Sequence, residues 1–201
     1  MINKVNLKEY INSSLKNSKS LIEQLIDSEL FLSSLIQASN IISETFIQKN
    51  FIFLAGNGGS AAHAEHFAAE LVSRFKFDRN PLPAMALTTD SAVITAISND
   101  YGFSKVFERQ LEGLSKKGDL FIGLSTSGKS NNVVNAFYKA KESQLKTIAI
   151  TGLNGVEGFS PDVLISIPSK NTPLIQEMQL ITSHLLCDIT EKSIFNEELL
   201  K

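Results

Sequence analysis

The chain is poor in cysteine, in net charge and in long apolar runs, and each shortage removes a class of protein. Among its 201 residues there is one cysteine, Cys187. No internal disulfide can form, which fits a reducing, cytoplasmic setting. Cys187 lies in the apolar run Leu185–Ile189 and reads as a small core residue. The net charge of −2 gives no electrostatic basis for a nucleic-acid partner. No apolar run approaches the roughly 20 residues that span a bilayer, so no membrane partner is expected. The opening MINKVNLKEY has no apolar segment of a secretory signal, and export is not expected. Repeats and low-complexity linkers are absent too. What remains is an ordinary globular balance, 43% hydrophobic and 20% charged, at a length that predicts a single domain over 1–201.

The most informative stretch is Phe51–Phe75, FIFLAGNGGSAAHAEHFAAELVSRF. Residues 51–55 read as a short buried strand. Gly56, Asn57, Gly58, Gly59 and Ser60 form a loop, and the alanine-rich run after them favours a helix. A strand, a glycine turn and a helix N-terminus make an anion site, because backbone N–H groups converge at the positive end of the helix dipole. Further down that helix His66 and Glu70 are four apart and share a face, with His63 three residues before His66. A phosphate site followed by ionisable side chains points to a small phosphorylated substrate. A His/Glu pair at this spacing is also a common helix-surface contact.

Residues 6–48 read as two helices, with Ser28 as N-cap of the second. Leu7, Tyr10, Ile11, Leu15, Leu21, Ile22, Leu25 and Ile26 follow the 3.6 period, as do Phe31, Leu35, Ala38, Ile42 and Phe46. So much apolar surface ahead of any strand is expected to pack against another subunit, the alternative being that it covers the chain's own sheet. Beyond the central unit, strands are expected at 84–87, 119–124, 147–151 and 163–167. Asp90 is placed as a helix cap, Asn99 and Asp100 in a loop, and helices at 104–114, 131–142 and from Leu174 to about Leu199. Alternating strands and helices predict an α/β three-layer sandwich: a central parallel sheet between helices, a helical pair at residues 1–50 and a long C-terminal helix. Ligands then belong at the C-terminal ends of the strands.

The second polar loop, Ser125, Thr126, Ser127, Gly128, Lys129 and Ser130, also follows a strand and opens a helix. Four hydroxyls there suit a phosphate, or form a polar turn with Ser130 as N-cap. Gly123–Ser130, GLSTSGKS, also satisfies the G-x-x-x-x-G-K-[ST] pattern of nucleotide-binding P-loops. That pattern lacks further loop glycines and a downstream aspartate for magnesium, and it leaves the 56–60 loop unexplained. No nucleotide is expected.

The segments AGNGGSAAHAEHFAAELVSRF, TTDSAVITAISNDYGF, GDLFIGLSTSGKS and LIQEMQLITSHLLCDI resemble the sugar-isomerase (SIS) domain and, within it, the phosphoheptose isomerase family. The resemblance covers nearly the whole chain. It implies conversion of sedoheptulose 7-phosphate to D-glycero-D-manno-heptose 7-phosphate for bacterial surface polysaccharide, a homotetramer with active sites at subunit contacts, and a bound zinc. Carried over by position, Asn57, Gly58, Gly59, Asn99 and Asp100 contact substrate, and Ser125, Thr126, Ser127 and Ser130 hold its phosphate. His66, Glu70, Gln176 and His184 match the metal positions, Glu70 and Gln176 also touching substrate. Glu70 and His184 match the acid–base pair.

Ketose–aldose interconversion moves a proton between two carbons through an enediol(ate). It asks for a base, an acid near neutral pH and a group that polarises the carbonyl. Glu70, His184 and zinc meet those needs. One geometric constraint stands: Gln176 and His184 are eight residues apart, ~12 Å along an ideal helix. The sequence departs from the family at His63 (commonly aspartate), Lys129 (asparagine), Leu174 (arginine) and Gln179 (histidine). Non-catalytic SIS proteins resembling the DnaA initiator-associating protein are the competing class. They typically lose the central glutamate, the last-helix histidine and the STSG form of the second loop, all of which are present here.

Overall fold

The computed structural model describes residues 6–195. Helix α1 (Leu7–Ile26) begins at Asn6, whose side chain accepts the Glu9 N–H. Helix α2 (Glu29–Ile47) begins at Ser28, whose hydroxyl accepts the Phe31 N–H at 3.2 Å, the cap read from its position. There follow β1 (Ile52–Ala55), α3 (Gly59–Val72), β2 (Ala84–Ala86), α4 (Ser91–Tyr101), a 3-10 turn at Phe103–Lys105, α5 (Val106–Leu114), β3 (Leu120–Ser125), α6 (Asn131–Glu142), β4 (Lys146–Thr151), β5 (Val163–Ser166) and α7 (Thr172–Phe195).

The strands form one all-parallel sheet in the order β2-β1-β3-β4-β5. Alternation along each strand divides the core in two. Ile52 and Leu54 of β1, with Ile122, Ile148 and Ile150, face a layer built from α1, α2, α3 and α7. Phe53, Ala55, Phe121 and Ala149 face α5 and α6, through Val106, Phe107, Leu111 and Phe137. Burial of each such large side chain stabilises the fold by about 1.5–3 kcal/mol. This is the three-layer α/β sandwich expected. The parallel order brings the polar loops after β1 and β3 to the same end of the sheet.

Several boundaries differ from expectation; α3 already begins at Gly59, inside the expected loop, and the helix expected from Ser104 opens as a 3-10 turn. Asn99 and Asp100 lie in the last turn of α4, not in a loop. Asp90 caps that helix through the Val93 N–H, and the first residue able to end it is Gly102, at φ +87°. Helix α7 starts at Thr172, since Pro173 is tolerated within a first turn. Its expected end near Leu199 lies outside the described residues.

Helix α1 sets only Leu21 and Leu25 into the core; Leu7, Tyr10, Ile11 and Leu15 stay 55–69% exposed. Helix α2 qualifies the statement that no apolar run approaches a bilayer span. It is 19 residues long with mean hydropathy 1.2. Its apolar face, Phe31, Leu35, Ala38, Ile42 and Phe46, is buried against α7 and β5, which is the work of a core helix.

Candidate active site

The N-termini of α3, α6 and α7 converge on a cavity of about 280 Å³. Asn57 and Gly58 line it from the first loop, Gly59 and Ser60 from the first turn of α3, Ser125, Thr126 and Ser130 from the end of β3 and the second loop, and Thr172 and Gln176 from α7. Three helix ends direct unpaired N–H groups and partial positive charge at one space, which suits an anion. Gly58, at φ +54°, makes the reversal that turns β1 into α3. Ser130 holds the N-cap position of α6 without making a capping bond, so its hydroxyl remains for a ligand. Asn57 is fixed by Asn132, each amide donating to the other at 2.8 and 2.9 Å.

Ser127 does not line this cavity; its hydroxyl is exposed and accepts the Lys129 N–H at 3.2 Å. Lys129 is exposed and also absent from the lining. Gly128 sits at φ +70°, and a Cβ built there would fall on the Gly155 carbonyl. Its own carbonyl accepts the Glu157 N–H at 2.9 Å. The loop is therefore packed at Gly128 against the β4–β5 connection.

Farther along α3 and α7, three side chains meet. His66 Nε2 lies 2.9 Å from His184 Nε2 and 3.4 Å from Glu70 Oε1, and one donor atom from each falls within 4.8 Å of the others. Helical spacing sets His66 beside Glu70, while packing of α7 on α3 supplies His184. The Phe75 ring lies against the His184 imidazole, centroids 5.3 Å apart.

Two imidazoles and a carboxylate are a zinc donor set. Zn–N bonds of 2.0–2.1 Å in a tetrahedron separate ligand atoms by about 3.3 Å, and the observed 2.9 and 3.4 Å lie on either side of that. The residues present fit the ion. Gln176, the fourth position implied by resemblance, packs against Gly59 at the anion cavity: a Cβ on that glycine would strike its amide. Because α7 begins before Gln176, the full eight-residue helical separation from His184 stands.

His63 lies one turn above His66. Burial lowers its pKa; a hydrogen bond donated to the Gln179 side chain opposes that shift and His66 reinforces it. Its Nδ1 is enclosed and unpartnered. Gln179 is fully buried, accepting from Ser60 Oγ at 2.9 Å and donating to the Ile150 carbonyl at 3.1 Å, so it ties the first loop to the sheet. Leu174 packs on the core. Cys187 is buried, as its surroundings implied. Burial drives its thiol pKa up, with Glu70 and Glu191 adding to the effect. Asp100 instead lines a separate cavity of about 580 Å³ with Met85, Tyr101 and Arg109. It accepts from Asn99 Nδ2 at 2.8 Å, and neither residue reaches the anion cavity within one chain.

Thr172, Asn132, Phe75, Arg79 and Glu191 escaped sequence reasoning. A threonine preceding proline at a helix start was a usable signal for the first. The other four have no local pattern, because their partners lie across the fold.

Residues 14–152 match the family model of the SIS domain. The phosphoheptose isomerase of Sulfurimonas denitrificans is 44% identical over 95% of this chain and 98% of that protein. That of Aneurinibacillus thermoaerophilus is 42% identical over 96% and 98%. Among solved structures, phosphoheptose isomerase from Neisseria gonorrhoeae superposes with a TM-score of 0.87 at 35% identity, covering 93% of this chain and 100% of that one. The Francisella tularensis enzyme gives 0.88 at 32%, covering 94% and 100%. With glycine loop, hydroxyl loop and His/Glu/His cluster all in place, the chain belongs to the SIS domain family and, within it, to the phosphoheptose isomerases.

Proposed function

We propose that this chain interconverts sedoheptulose 7-phosphate and D-glycero-D-manno-heptose 7-phosphate through an enediol(ate). The observation that carries the reading is the meeting of Glu70 and His184 farther along the two helices, α3 and α7, whose N-termini face the anion cavity. From Gly59 to His66 the helix rises ~10 Å, a span suited to an extended sugar with its phosphate at one end and its carbonyl at the other. The phosphate sits among the Gly58 and Gly59 backbone, Ser125, Thr126 and Ser130, with Ser127 and Lys129 at the rim. Glu70 takes the proton from the carbon beside the carbonyl and returns it to the neighbouring carbon. His184 moves protons at the two oxygens.

His66, Glu70 and His184, with Gln176 by resemblance, would hold zinc, which supplies Lewis-acid polarisation of the carbonyl oxygen. Asn99 and Asp100 are assigned to sugar hydroxyls in the assembled protein. The exposed apolar stripe of α1 supports a homotetramer in which subunits complete one another's sites. The whole of 1–201 acts as one cytoplasmic SIS domain, its product feeding surface-polysaccharide heptose. Incubation with sedoheptulose 7-phosphate, with and without a chelator, tests the activity. Aldoheptose formation is expected, with loss after metal removal; no aldoheptose under either condition refutes the proposal.

A further inference from the structure

Beyond the residues that meet the substrate, a buried ion pair lies just past the end of α3. Arg79 and Glu191 side chains are 2% and 1% exposed, with Nε to Oε1 at 2.9 Å. Arg79 carries more than the pair. One terminal nitrogen donates to the Leu71, Ser73 and Asn80 carbonyls at 2.7, 3.1 and 3.1 Å, and the other to the Glu70 carbonyl at 2.8 Å. Carbonyls at a helix C-terminus have no partners within the helix and carry its partial negative charge. A guanidinium, with its planar fork of donors, suits that position.

Glu191 acts on the following segment. Its two oxygens accept the N–H groups of Phe75 at 2.7 Å and Lys76 at 2.9 Å. It lies seven residues after His184 on α7, two turns along the same face. Asp188, between them, binds the Lys76 ammonium at 2.6 Å. Thus one stripe of α7 grips 75–79 at three successive points, and the first is the Phe75 ring against His184.

We propose that the Arg79–Glu191 pair is a positioning device: it fixes the end of α3 that carries Glu70 to the face of α7 that carries His184, and holds Phe75 against the imidazole. This rests on the reading that Glu70 and His184 carry the proton transfers. A buried charge pair is by itself weak evidence for stability, and here the two side chains also satisfy six backbone groups, four carbonyls and two N–H groups, around the end of α3. Its particular contribution is geometric: neither partner can shift without leaving the other charged, buried and unpaired.

The test uses the intact chain and its three histidines, whose ring resonances are read with ¹³C-labelled histidine in metal-free protein. In Arg79→Met/Glu191→Met neither charge is left unpaired, although the backbone groups that both side chains bond lose those partners, so folding is checked by circular dichroism. Expected are a kcat lower by roughly 10²-fold with KM changed by no more than about twofold, and a displaced His184 resonance as Phe75 is released. Arg79→Lys, which keeps the charge pair but cannot reach every carbonyl, is measured alongside with an intermediate result expected, and it carries the test should the double variant misfold. An unmoved His184 resonance, or a kcat within about twofold of the parent, overturns the proposal. Should Glu70→Gln keep full activity, the acid–base reading fails on its own, and the His184 resonance alone then decides the positioning role.

Discussion

His66 and His184 meet Nε2 to Nε2 at 2.9 Å although 118 residues separate them in the chain. In the absence of a cation, one nitrogen must carry the proton that the other accepts. A cation offered both lone pairs, with Glu70 beside them, replaces that hydrogen bond. His184→Ala is therefore expected to weaken zinc binding markedly, measured by competition with a chromophoric chelator, and affinity equal to the parent would remove His184 from the ligand set.

Glu70→Gln keeps the shape of the side chain and loses its basicity. Turnover is expected to fall on the order of 10²–10⁴-fold, while sugar-phosphate binding, followed by calorimetry, stays near the parent value. Retained kcat would exclude Glu70 as the base.

Two glycines lining or flanking the anion cavity are expected to fail differently. Gly128→Ala imposes a side chain at φ +70° against the Gly155 carbonyl, a rigid backbone neighbour, so a loss of about 1–3 kcal/mol or more is expected in urea unfolding. Gly59→Ala meets the end of the Gln176 side chain, which can swing aside. Stability should change little, and KM should rise as Gln176 leaves the cavity. Equal destabilisation by both would contradict the packing described.

Asp188 gives a pH prediction. Burial disfavours its charge, but the ammonium groups of Lys76 and Lys192 outweigh that and hold its carboxyl below the usual range. A lowered folded pKa stabilises at pH above the unfolded value near 3.8, and the contribution is lost as pH falls through the folded pKa. Asp188→Asn should cost roughly 0.5–1 kcal/mol near neutrality and unfold with a shallower acid limb. Superimposable stability–pH curves would show that the pairing contributes nothing.

How far the sequence was legible follows the range of each signal. The Ser28 and Asp90 caps, the helix at 131–142 and the anion loops were readable because a cap, a helical period and a strand–glycine–helix unit are each local. Asn99 and Asp100 were misassigned to a loop because polar residues on an exposed helix face look like loop residues when the stop signal, Gly102, comes later. The packing of the second loop has no local signal either: only the position of Gly155 shows that the backbone at Gly128 is enclosed.

By itself the sequence determined the fold class and put forward the candidate residues of the site, because burial periodicity and helix-end chemistry are written in neighbouring residues. It gave Glu70 and His66 one face of one helix. Resemblance had put His184 in the same set, and the tertiary structure brings it to them; only that structure decided that Gln176 lies against Gly59 and that Arg79 and Glu191 join the two helices out of sight of solvent. Those contacts depend on how α3 and α7 pack on one sheet, and that is fixed by the whole core at once, not by spacing along the chain.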